Sequence, residues 1–156
     1  MSARRPGGEE GTVLMLMPAG VLIVLILGAL AVDSAIMFLG ERELADLTAA
    51  AANDAATAAL RPETFYECGR LELDAERAET IARTVTATRV SDAVTLTGLS
   101  AEVNNGADPP EVTVAASGTV RLIFTPAVPG STRTRAVSAR SVAVPVDPGG
   151  PAAASC

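Results

Sequence analysis

The sequence predicts an α+β protein: one long N-terminal membrane-spanning helix that continues as an alanine-rich helix, then a short helix and a three-stranded antiparallel sheet. Three observations predict it. Residues 11–32 carry no charge and are almost wholly apolar. The run after them is dense in Ala, Leu, Glu and Arg, all strong helix formers, and holds helical spacing to residue 60. From Ala93 onward the apolar period changes to two.

The span is read as residues 12–39. About 20 apolar residues cross a bilayer as a helix, and Val21 to Leu27 is apolar all round, unlike a surface helix. Arg4 and Arg5 precede it, and Glu41, Arg42, Glu43 and Asp46 follow it. Basic residues favour the cytoplasmic side, so the N-terminus is expected inside and the rest of the chain outside. Residues 1–11, with Pro and Gly, are expected to be a disordered cytoplasmic head. The alternative is a signal peptide cleaved after Ala31, because Ala29-Leu30-Ala31 has the small-x-small form of a cleavage site. The apolar run exceeds the usual signal core of about 7–15 residues, and apolar character resumes at Ile36, Met37, Phe38 and Leu39. Both points favour a retained anchor. Asp33 is the one ionisable residue in the span. A carboxylate there is costly at mid-bilayer and much less so near an end. Two roles stay open for it, packing against a neighbouring helix or wetting at the interface.

Residues 40–60 extend the helix, with Gly40 a possible break. Leu44, Leu47, Ala51, Ala55 and Ala58 form an apolar stripe, and Glu43, Asp46, Asn53 and Thr57 a polar one. Ala45, Ala49, Ala52 and Ala56 make a third face of small residues. That face permits close approach of another backbone, from a partner or from the protein's own sheet. Pro62 stops the helix. The domain proper, residues 61–145, opens with a loop to Leu73 that is expected to pack Phe65 and Tyr66 on the domain. Asp74 is an N-cap for a helix over 75–88, with Ala78, Ile81, Ala82 and Val85 on its buried face. Val94 and Leu96 alternate, then Leu99, Ala101 and Val103 in the opposite phase, so a bulge is expected at Gly98. Val112, Val114, Ala116, Gly118, Val120, Leu122 and Phe124 share one face of the clearest strand. A third strand follows over 132–144, with a phase change near Arg140. Residues 146–156 read as a flexible tail. The whole is a helical spine bearing a small α/β head, a pilin-like arrangement.

Composition excludes several function classes. The formal charge is −6 and all twelve basic residues are scattered arginines, so no nucleic-acid footprint is expected. There is no histidine, which removes the usual general base and the commonest metal ligand. With no phosphate loop and no nucleophile elbow, the chain is expected not to be an enzyme and to need no cofactor, metal or small-molecule substrate. Glu72, Asp74, Glu76 and Glu79 have the spacing of an ordinary helix start. Cys68 and Cys156 allow one disulfide outside the cytoplasm, and two unpaired thiols are the alternative.

Several parts in order carry a family resemblance: Gly11-Thr12, Met17-Pro18 early in the apolar run, Leu30-Ala31-Val32-Asp33, Arg42 and Leu44, and the alanine-rich helix around Asn53-Asp54. The strand runs 111–124 and 136–144 complete it. Together they resemble the TadE/TadG-like proteins of Flp (Tad) pilus assembly systems. In the pseudopilin branch a peptidase cuts after a glycine and glutamate stands fifth in the mature chain. Here Val13 or Leu16 would take that place, after Gly8 or Gly11. The chain is therefore more similar to the TadG-type branch, or to a small relative of it, kept uncleaved. The resemblance implies an accessory or minor component of a pilus or secretion apparatus. Its implied partners are the lipid bilayer and, through helix packing at Asp33, Ala45, Ala49, Ala52 and Ala56, other subunits of the apparatus.

Overall fold

A computed structural model describes residues 10–125 and 130–146. Most of the N-terminal head and of the C-terminal tail, Cys156 included, lies outside the described residues.

The chain is α+β. Helix α1, Glu10–Ala58, runs unbroken for 49 residues, about 74 Å at about 1.5 Å per residue. Pro18 lies inside it, in the apolar half, where membrane helices tolerate proline. Gly40 is no break. Five elements follow: α2 (Pro62–Cys68), α3 (Ala75–Arg89), β1 (Val94–Asn104), β2 (Glu111–Arg121) and β3 (Thr134–Ala143). The sheet is antiparallel in the order β1-β2-β3. Its register shifts between Leu96 and Gly98, where the change of phase predicts a bulge.

One face of the sheet packs on α1, and α3 lies beside it against α1 and β1. The core joins Ala51, Ala52, Ala55, Ala56 and Ala59 of the α1 region to Leu73, Ala78, Ala82, Val112, Val114 and Ala143. A second cluster joins Leu44 to Val94, Ala116, Val120 and Val137. Alanine lets α1 lie close on the sheet, and burial of the valines and leucines supplies the apolar driving force, about 25 cal/mol per Å² removed from water.

Four local readings change, the first being that β2 ends at Arg121, so Phe124 leaves the inward face and is exposed. The stretch expected as a loop contains α2, with Pro62 in its first turn and Gly69 closing it in the left-handed region (φ 60°). Pro near a helix start and Gly just past its end suit those places. Of its aromatics, Phe65 is half-buried and Tyr66 does not pack on the domain as expected. Phe65 and Tyr66 meet edge to face at 5.7 Å, and Tyr66 stays 81% exposed. In β3 there is no phase change. Val137, Ala139, Ser141 and Ala143 turn inward throughout, and Val142 is left exposed.

Candidate functional site: the seam between helix and sheet

The buried side of α1 begins at Asp33. From Leu16 to Val32 every side chain except Ala29 is exposed, Val21 to Leu27 included. Beyond that, Asp33, Gly40, Leu44, Leu47, Thr48, Ala51, Ala52, Ala55 and Ala56 are buried, at the three- and four-residue steps of one helix face. The head therefore lies along residues 33–59, and its cover starts inside the stretch that hydropathy alone assigns to the span. The exposed helix below is long and apolar enough to cross a membrane or to serve as a signal sequence.

Asp33 neither faces outward nor waits for another helix. One carboxylate oxygen accepts the backbone N–H groups of Ile123 (2.9 Å) and Phe124 (3.1 Å). The other accepts the N–H and the hydroxyl of Thr125. The segment leaving β2 is bound further by Leu122 N–H to the Arg133 carbonyl (2.9 Å) and by the Ser131 hydroxyl to the Thr125 carbonyl. A carboxylate is an acceptor with room for several donors, and here it collects N–H groups that have left the ladder. Charge-assisted bonds of this kind are stronger than neutral ones.

Two further contacts set the spacing of the seam. At Gly40 an added Cβ would stand 2.4 Å from Val120 Cγ2, so glycine is what lets helix and strand close up there. At Thr48 the hydroxyl donates to the Ala45 carbonyl (2.9 Å) and meets Ser141 Oγ at 3.1 Å. With the threonine proton committed to the backbone, Ser141 is the donor of that pair. This contact explains why a serine occupies an inward position of β3. No described buried side-chain polar atom lacks a hydrogen-bond partner.

The far end of the head is closed by several smaller contacts. Leu60 and Leu73 form an isolated bridge, and Asp74 N–H donates to the Ala59 carbonyl (2.9 Å). The Asn105 side chain serves both backbone groups of Leu73, at 2.9 and 3.0 Å. Arg61 lies 3.2 Å from Glu72 and 3.5 Å from Asp74. Asp74 caps α3 by accepting Arg77 N–H (3.0 Å). That bond, helped by the Arg61 guanidinium, holds its carboxyl below the usual carboxylate range.

The expected small-residue face divides. Ala52 and Ala56 are buried in the core, Ala49 is half-buried and Ala45 is exposed. Sequence reasoning missed Thr48 and Ser141, which no single-strand pattern pairs, and the Asp33 contact, whose partners lie 90 or more residues away. Cys68 is disulfide-bonded, whereas Cys156 lies outside the described residues. Among the described residues no group of three or more His, Cys, Asp or Glu is placed to hold a metal ion. No family model, curated protein or solved structure matches the chain.

Proposed function

We propose that this protein is a non-enzymatic accessory or minor structural component of a Flp/Tad-type pilus or secretion apparatus. It is held in the cytoplasmic membrane by α1, with its N-terminus inside and its head outside. The observation that carries the reading is the division of α1 into a bare apolar half and a half clasped by the head. A rigid helix of this kind ties a small extracytoplasmic surface to the lipid without a linker. The resemblance in sequence order to TadE/TadG-like proteins supplies the pilus assignment. Ala45, exposed on the outer half of α1, supplies a place for close contact with another subunit. Arg4 and Arg5 before the span support the orientation.

One observation favours a second reading. Cleavage after Ala31 would leave Asp33 and every buried position of α1 on the mature chain. A secreted or tethered binding domain would then keep its whole seam. Fractionation with mass spectrometry of the mature N-terminus separates the two. An intact chain in the membrane fraction is the expected result, and a soluble chain beginning at Val32 selects the second reading. Genes for a pilus ATPase and an inner-membrane platform protein are the expected neighbours, and their absence removes the pilus assignment.

A further inference from the structure

The head has a defined lower end. Along α1 the contacts run from Asp33 through Gly40 to Thr48, and their sheet partners run backwards along the chain, from Ile123 through Val120 to the level of Ser141 and Val114. Strand β2 therefore descends toward the bare half of the helix and leaves the sheet at Ile123 and Phe124. The helix below Asp33, residues 10–32, is about 34 Å long at about 1.5 Å per residue. A bilayer's hydrocarbon core is about 30 Å thick. With α1 spanning, Asp33 emerges among the headgroups, and it holds Ile123 and Phe124 at that depth.

What stands there suits a lipid surface. Ile123 is 64% and Phe124 45% exposed, although both are large and apolar. On α1 itself Phe38 and Leu39 are also exposed, at 63% and 62%, about a turn and a half above Asp33. Arg121, Leu122, Ile123 and Arg133 line a shallow depression at this corner. Arg135, paired with Val120 in the sheet, adds a third exposed arginine. None of the three makes an ion pair among the described residues. Asp33, the carboxylate nearest the tip, is taken up by the backbone; Glu41, beside Gly40, and Asp92, two residues before Val94, stand at the level of Val120, where Arg135 also stands. An apolar tip beside arginines that make no ion pair among the described residues fits the boundary between acyl chains and phosphates, where each basic residue near an anionic surface adds to the attraction.

We infer that the lower end of the head is a second membrane contact: Ile123 and Phe124 enter the headgroup layer, and Arg121, Arg133 and Arg135 bind the phosphates of anionic phospholipid. This inference rests on α1 being a retained anchor. The surface then fixes the tilt of the head over the membrane, because the helix provides one attachment and the corner provides another beside it.

The chain has no tryptophan, so a single introduced indole reports its own surroundings. Full-length protein would be reconstituted in nanodiscs of phosphatidylcholine with or without phosphatidylglycerol. Phe124→Trp is read by emission wavelength and by quenching from lipids labelled near the headgroup or deep in the chains. Ile123→Trp is a second reporter, and Leu25→Trp monitors the span. The expected result is deep quenching at position 25 and shallow quenching with a blue shift at 123 and 124. The shallow quenching should strengthen several-fold with phosphatidylglycerol. It should lose that dependence in Arg121→Gln/Arg133→Gln/Arg135→Gln and in high salt. Deep quenching at 25 with water-like emission at 123 and 124 overturns the inference and leaves the anchor standing. A blue shift without lipid quenching overturns it too, since protein then covers the corner. Absence of quenching at 25 overturns the anchor and the inference together.

Discussion

The two ends of the head are fastened in opposite ways, the lower one to α1 and the upper one to the residues just after it. At the lower end one side chain, Asp33, gathers the N–H groups of Ile123, Phe124 and Thr125. At the upper end the work is divided among the Leu60–Leu73 bridge, the Asn105 amide on Leu73, and Arg61 with Glu72 and Asp74. A single multidentate acceptor makes a contact that is lost all at once. A distributed contact loses strength in steps, and its exposed ion pairs contribute little individually. The lower end should therefore be the more fragile to substitution.

The largest effect is expected for Asp33→Ala. It strands three backbone donors, and native-state hydrogen exchange at Ile123 and Phe124 should accelerate by orders of magnitude while Leu73 keeps its protection. Equal loss at both ends would refute the contrast. Asn105→Ala tests the upper end and leaves the buried Leu73 backbone unpartnered, at a cost of about 1–3 kcal/mol in denaturant unfolding. Its opening should stay confined to the segment around Leu73. Gly40→Leu sets two terms against each other. Removing glycine from a helix gains about 1 kcal/mol, while overpacking costs about 1–3 kcal/mol. Val120 is buried and, being β-branched, stiff, so overpacking wins and the variant should unfold at lower denaturant. The smallest effect is a pH dependence. The Asp74 carboxyl is held below its ordinary value by Arg77 N–H and Arg61, so its contribution is present above the ordinary carboxylate range. That contribution is lost as pH falls through the lowered value. Asp74→Asn should flatten this acid limb of the melting temperature by a small amount, and an unchanged limb would show that the cap is not its source.

Much of the fold was legible because periodicity reports burial. The two-residue alternation of β2, the slip at Gly98 and the buried face of α3 at Ala78 and Ala82 all appear where the pattern places them. Legibility failed where one residue carries two signals. Pro62 stops one helix and starts another, and Gly69 completes the second. It failed again at Ser141, a polar residue turned inward by Thr48 from a distant helix. Asp33 shows the limit most clearly. Its neighbours in sequence are lipid-like, and nothing local indicates that its partners are backbone amides leaving a strand. Hydropathy placed the end of the span at Leu39, yet the head already clasps the helix from Asp33.

Because α1 is unbroken and the head is fixed to it at Asp33, Gly40 and Thr48, the helix works as a graduated shaft. Each residue added or removed between Leu16 and Val32 would raise or lower the head by about 1.5 Å and turn it by about 100°. Each side of the bare half of the helix and the outward side of the head are thus set in one angular relation. Any partner that bound the bare half of the helix would also meet a defined side of the head.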